Sequence, residues 1–190
     1  LSSQEKKELE MDFFNHPIEL IESGTSLAVL HTLILKEIFQ LQPAAAFGYS
    51  LGEISMLWAN QIWQGGEQSS LAWRNSSLFK SKLFGKMNAV REYWDGEDLA
   101  DQFWGTFILK ATPEDTASAL EGEKDAFLTI INTPDEVVIA GKRASCLRVI
   151  EILGCRSLPV PIEAAIHNPA MSTTYQDFVD GFAETARVFL

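Results

Sequence analysis

Five consecutive residues constrain this chain more than any others: Gly48-Tyr49-Ser50-Leu51-Gly52. Before them runs Ala44-Ala45-Ala46-Phe47, a short apolar stretch between Pro43 and Gly48 that reads as a buried parallel strand. After them, Glu53 to Asn60 places Ile54, Leu57 and Trp58 at helical spacing. A serine between two glycines, at a strand-to-helix turn, has the form of a nucleophile elbow. The glycines permit a sharp turn with close backbone packing, and the turn lifts the hydroxyl clear of the sheet. The N–H of Leu51, at the helix start, can then face an oxyanion formed on an acyl carbon. The plainer alternative is a glycine turn with a capping serine; the strand before it and the helix after it favour the nucleophile. This part of the chain therefore reads as a hydrolase-like α/β core with a parallel sheet.

Upstream, Glu5 to Phe14 reads as a charged helical lead-in, punctuated by His16-Pro17. A helix is predicted from Thr25 or Ser26 to Phe39, with Ser26 as its cap and Pro43 ending it. Downstream, Gln64-Gly65-Gly66 reads as a loop, and Ser69 or Ser70 as the cap of a helix through Leu71, Arg74 and Leu78. The second half has a different rhythm. Phe103–Lys110 alternates as a strand, Thr112-Pro113 starts a helix, and Ala126–Ile131 and Val137–Ala140 pair around the turn Asn132–Asp135. Gly141–Leu153 is helical and Arg156–Val160 a last short strand. The order β-α-β-β-α-β is that of a ferredoxin-like unit. The expected organisation is α/β core over 1–102, inserted ferredoxin-like subdomain over 103–161, and a return to the core over 162–190.

A serine nucleophile needs a base, and the chain has three histidines. His16 lies in the lead-in and His31 within the leucine-rich helix, where packing or exposure is the default. His167 stands in a loop, Ile166-His167-Asn168-Pro169, between the last strand and a helix that Pro169 can start. That position suits a cleft-facing base, although a capping or structural role fits it as well. Three scattered histidines and two cysteines form no metal-ligand pattern, and no metal is expected. Cys146 and Cys155 fall in a helix and at a strand start, which favours reduced packing thiols and a cytoplasmic setting.

The 26 acidic and 15 basic residues give a net charge of −11. Phosphate neutralisation needs clustered Lys and Arg, so nucleic acid is excluded as a general partner. Lys80, Lys82, Lys86 and Arg91 do gather, and read as a solvated helix face. The longest apolar run, Leu27 to Leu35, is too short to span a bilayer and is broken by His31 and Thr32, so no membrane association and no signal peptide are expected.

Several segments together carry a resemblance. Gly48-Tyr49-Ser50-Leu51-Gly52-Glu53 resembles the GHSLGE motif of malonyl-CoA:carrier-protein transacylases and polyketide synthase acyltransferase domains. Arg74 falls within a residue of the family's arginine for the substrate carboxylate. Asn132-Thr133-Pro134-Asp135-Glu136-Val137-Val138-Ile139-Ala140-Gly141 is similar to the hairpin of the family's ferredoxin-like subdomain. Ile166-His167-Asn168-Pro169-Ala170-Met171 is similar to its catalytic histidine segment. GYSLGE, Ser55-Met56-Leu57 and Trp63 are similar to the branch found in polyunsaturated fatty-acid and glycolipid synthases.

The resemblance implies ping-pong acyl transfer. Ser50, with His167 as general base, would take an acyl group from a coenzyme A thioester as substrate, with no bound cofactor. The phosphopantetheine thiol of an acyl carrier protein, among neighbouring synthase domains, would accept it. Arg74 would pair bidentately with the malonyl carboxylate, and Leu51 and Ile166 would border the acyl group and favour malonyl over methylmalonyl. Tyr49 and Asn168 depart from the family's usual histidine and serine. The family's N-terminal G-Q-G loop and the C-terminal segment that orients its histidine have no counterpart in the sequence, which reads as a piece of something longer and is expected to act poorly alone.

Two other readings compete. An α/β-hydrolase esterase would place an acid between serine and histidine, with Asp98, Asp101 or Asp135 as candidates. A non-catalytic scaffold role in a synthase would leave Ser50 idle.

Overall fold

The structure is a computed structural model that describes residues 1–14, 16–63, 66–94, 99, 103–161, 163–177 and 179–180. The chain forms two compact units, Leu1–Ser76 with Val179–Leu190, and Ser77–Phe178. The residues Asp98 and Asp101 lie outside the described residues.

The first unit is helical. Helix α1 (Ser3–Phe14) opens on a capping box, in which Ser2 Oγ accepts the Glu5 N–H at 3.2 Å and Glu5 Oε2 accepts the Ser2 N–H at 2.6 Å. Helix α2 (Pro17–Leu33) starts on proline, whose missing N–H costs nothing in a first turn, and passes into a π turn over Ile34–Ile38. Helix α2 thus begins eight residues before Thr25, because the Ser23 hydroxyl donates back to the Glu19 carbonyl at 2.6 Å and the helix continues through Gly24. Ser26 is an interior residue. Helix α3 (Leu51–Ala59) follows the elbow, and α4 (Gly66–Asn75) begins ahead of Ser69 and Ser70. Helix α2 packs along α3 and reaches α4.

One further expectation is corrected in this unit. Ala44–Phe47 joins no sheet, and Phe47 is 93% exposed. A parallel strand is built only by neighbours on its flanks, and no strand of the described residues flanks it. Pro17–Ile38 is also, by length and composition, a 22-residue helix apolar enough to cross a membrane. Only 6% of its apolar window is buried, and α2 lies against α3.

The second unit is built on a four-stranded sheet. Strand β1 (Trp104–Leu109), α6 (Pro113–Ala119), β2 (Ala126–Thr133), β3 (Glu136–Lys142), α7 (Arg143–Leu153) and β4 (Ser157–Pro159) follow in order. The spatial order is β2-β3-β1-β4, antiparallel at every step. Trp104 faces Lys142 and Leu109 faces Val137, while Leu109 pairs with Ser157 on its other side. Two register shifts interrupt β2, between Leu128 and Ile130 and between Ile131 and Thr133.

The period of two divides this sheet between two apolar layers. Phe107, Leu109, Val137 and Ile139 pack with Cys146 and Val149 of α7. Trp104 and Ala140 face the other way, onto Met87, Val90 and Trp94. Helix α5 (Asn88–Tyr93) supplies Val90 to that second layer. Thr112 caps α6 by accepting the Asp115 N–H at 3.1 Å, with Pro113 at its first position. A β-carbon on Gly141 would fall 2.2 Å from the Asp125 carbonyl oxygen, so this position admits glycine alone. The basic group has structural partners: Lys82 pairs with Asp177, and Arg91 lies over the Phe103 ring at 4.8 Å and donates to the Lys86 and Leu99 carbonyls.

Candidate active site

Ser50 precedes α3 as its N-cap, with φ 52° and ψ −122°. These are the angles of the first central position in a type II′ turn, where glycine is the usual occupant. A serine held there stores on the order of 1–3 kcal/mol of strain. The turn is closed by the Gly52 N–H donating to the Tyr49 carbonyl at 2.9 Å and the Glu53 N–H to the Ser50 carbonyl at 3.0 Å. The two glycines have different standing. A β-carbon on Gly48 would strike Gly52 O at 2.3 Å and the Glu53 backbone at 2.4 Å, whereas one on Gly52 would meet nothing within 4 Å. Ser50 and Leu51 are half-buried, and Tyr49 is exposed.

Gly24 of α2 lies beside Leu51: a β-carbon there would lie 3.8 Å from the Leu51 side chain. Within the preceding turns, the same helix meets Arg74. Arg74 Nε donates to Glu22 Oε1 at 3.2 Å, Nη2 to Glu22 Oε2, and Nη1 to Glu19 Oε1 at 3.0 Å. The Ser70 hydroxyl donates to the same Glu22 carboxylate. Burial would raise the Glu22 carboxyl, but the hydrogen bonds from Arg74 and Ser70 and the Arg74 charge outweigh it and hold it below the ordinary range. Glu22 in turn raises the Arg74 guanidinium. Sequence reasoning missed this pairing. Its signal was two glutamates three residues apart, on one face of a helix. Leu71 and Ala72 are exposed and Trp73 is buried, so Arg74 stands at the edge of the packed region, its side chain 43% exposed. It borders a mixed wall: a cleft of about 480 Å³ among α2, α3 and α4 is lined by Val29, Leu33, Trp58 and Trp73 and by the polar Glu22, Thr25, Ser26 and Ser70.

In the second unit, His167 also has a left-handed backbone, with φ 58°. Its N–H donates to the Met171 sulfur at 3.1 Å, and its side chain is exposed. The loop is fixed on both sides. Ahead of it, the Ala165 N–H donates to the Leu83 carbonyl at 2.8 Å. Behind it, Asn168 caps the 3₁₀ turn Pro169–Thr174, its Oδ1 accepting the Ala170 N–H at 3.0 Å. Asparagine thus does the capping work that explains its place beside His167. Ile166 is half-buried.

His16 and His31 are exposed, and His16 Nδ1 lies 2.8 Å from the Asp12 carbonyl oxygen. Asp135, the remaining acid candidate, sits in the β2–β3 turn, 3.1 Å from Lys110 Nζ and 2.8 Å from Thr133 Oγ1. It is engaged in the hairpin. Cys146 is buried and Cys155 half-buried, and both are free thiols.

No protein-family model matches the chain. Over 166 residues it is 31% identical to a polyunsaturated fatty acid synthase polypeptide of Thraustochytrium sp., an alignment that covers 85% of this chain and 8% of that protein. Among solved structures it matches an acyl carrier protein S-malonyltransferase from Vibrio cholerae, with TM-score 0.64 and 19% identity, over 88% of this chain and 52% of that one. It also matches a malonyl-transacylase solved with its type II polyketide synthase acyl-carrier protein, with TM-score 0.65 and 16% identity, over 86% of this chain and 50% of that one. The chain thus spans a small part of its curated relative and about half of these enzymes. It shares the α/β fold of malonyl-CoA:acyl-carrier-protein transacylases and polyketide synthase acyltransferase domains, small antiparallel sheet included, and its sequence is similar to a segment of the Thraustochytrium polyunsaturated fatty acid synthase.

Proposed function

We propose that this chain is the nucleophile-bearing part of an acyltransferase that moves an acyl group from coenzyme A to a carrier-protein thiol through an ester on Ser50. The observation that carries the reading is the strained backbone of Ser50 at the head of α3. Such strain persists where the surrounding structure enforces it, and it concentrates at reacting groups. A capping serine would need none of it; Ser50 makes no side-chain cap hydrogen bond to α3.

In this reading the Ser50 hydroxyl attacks the thioester carbonyl and His167 accepts its proton. The tetrahedral oxyanion faces the Leu51 N–H, and collapse expels the coenzyme A thiolate, which takes the proton from His167. The phosphopantetheine thiol of the carrier protein then attacks the serine ester, and Ser50 recovers its proton by way of His167. Leu51 and Ile166 border the acyl group. The malonyl expectation depends on Arg74, whose guanidinium already holds two carboxylates. Residues 103–161 are read as a ferredoxin-like insertion, which the strand order β2-β3-β1-β4 supports. The flanking 1–102 and 162–190 are read as parts of a hydrolase-like core. The setting is cytoplasmic, with neighbouring synthase domains.

The test is intact mass and peptide mapping of the full-length protein after incubation with a panel of acyl-CoAs and a phosphopantetheinylated carrier protein. The expected result is an acyl adduct on the peptide carrying Ser50, chased onto the carrier thiol, lost in Ser50→Ala and slowed at least about a hundredfold in His167→Ala. Hydrolysis without transfer would make the chain an esterase. Carrier-protein binding that survives Ser50→Ala, with no adduct in the wild type, would make it a scaffold.

A further inference from the structure

The polar cluster on α2 and α4 holds one cation and two anions. The Nε–Nη2 edge of Arg74, the edge that grips a carboxylate bidentately, is taken by both oxygens of Glu22. The Ser70 hydroxyl adds a further bond to that carboxylate, and Glu19 occupies Nη1 at 3.0 Å. The side chain of Glu22 is 19% exposed, so it is the more enclosed of the two glutamates; Glu19 is 42% exposed. An incoming carboxylate would be the third around a single guanidinium, and like charges so placed repel strongly. The neighbouring cleft adds no further charge: beyond Glu22 and Ser70 it is lined by Thr25, Ser26, Gly66 and apolar side chains.

We propose that Glu22 is a specificity-determining residue that counts against acyl groups bearing a free carboxylate, with Glu19 as its weaker second. The proposal rests on the acyl-transfer reading above. Glu22 fills, from within the chain, the place that a dicarboxylic acyl group would otherwise take on Arg74. A neutral acyl group makes no demand on that guanidinium and meets no displaced charge. Glu22 therefore sets the ratio in which malonyl and acetyl groups are loaded.

The experiment measures kcat/KM for Ser50 acylation by malonyl-CoA and acetyl-CoA in the full-length protein, in wild type, Glu22→Gln and Glu19→Gln. Glutamine keeps the shape and removes the charge. The malonyl-to-acetyl ratio is expected to rise at least about tenfold in Glu22→Gln, and in the same direction but less in Glu19→Gln. An unchanged or falling ratio overturns the proposal while leaving Ser50 acylation standing. A protein that no acyl-CoA labels at Ser50 refutes the acyl-transfer reading instead. A second arm, independent of turnover and of the folding of any one variant, titrates free malonate calorimetrically into Ser50→Ala with and without each Glu→Gln change. Malonate binding that tightens in Glu22→Gln, and more than in Glu19→Gln, supports the proposal; binding unchanged by Glu22→Gln, or tightened more by Glu19→Gln, overturns it.

Discussion

A β-carbon on Gly48 would come to rest 2.4 Å from the amide nitrogen of Glu53. No side-chain rotation relieves that contact, since both parties are backbone. Gly48→Ala is therefore expected to open the turn and destabilise the first unit by more than about 2 kcal/mol, with loss of any Ser50 chemistry. Gly52→Ala is the contrast. Its β-carbon meets nothing and the position lies inside α3, so the change should raise stability by about 0.5–1 kcal/mol. Denaturant unfolding of the two variants separates them; equal losses would mean that the turn is not built as described.

Ser50 sits where glycine is at ease. Ser50→Gly should relieve the backbone strain and raise stability by about 1 kcal/mol, while removing the nucleophile altogether. Ser50→Ala removes the nucleophile and keeps the strain. A thermal melt in which alanine and glycine behave alike would contradict the strained elbow.

The Glu22 carboxyl is held below its ordinary value of 4.5, chiefly because bonds from Arg74 and Ser70 and the Arg74 charge overcome the opposing effect of burial. A group lowered in this way stabilises the folded state fully above 4.5, and that contribution drains away as pH falls through its folded value. Acid unfolding below pH 4.5 should therefore be shallower in Glu22→Gln than in the wild type. Identical acid limbs would show that Glu22 and Arg74 do not interact in solution.

Burial pushes the Cys146 thiol up to about 12, with the nearby Glu123 charge adding to the effect. Folding thus favours the protonated thiol. Stability from this group is intact below pH 9 and falls as pH rises from there toward 12. At pH 8 a disulfide reagent should label the half-buried Cys155 readily, and Cys146 only when the second unit unfolds. Equal labelling rates in the native protein would be the contrary result.

Much of the second unit was legible from the residues. Thr112-Pro113 marks a helix start by capping chemistry, and the unbroken apolar run from Val137 to Ala140 marks a strand buried on both sides. Turn and period are local properties, so a sequence displays them. The first unit was less open to such reading. Ser23-Gly24-Thr25-Ser26 has the composition of a helix boundary, but the Ser23 hydroxyl is satisfied inside the helix and Gly24 lies against Leu51. Ala44–Phe47 has the composition of a buried strand, and composition says nothing of whether partner strands flank it. The elbow was visible as a pattern, while its strain was not: that lies in the φ of 52° which the folded turn gives Ser50. The Arg74–Glu22 pair joins residues far apart in the chain, and long-range pairing leaves no periodic trace.

The two rims of the sheet are finished differently. On one side, β2 loses its even spacing twice along its length, so its outward amides and carbonyls fall out of step with any straight strand that approached. On the other, β4 has three residues and ends on Pro159, which has no amide hydrogen to offer. Each rim resists recruiting a foreign strand, one by irregularity and one by brevity. Growth of the ribbon into larger, clumping assemblies is discouraged at both limits.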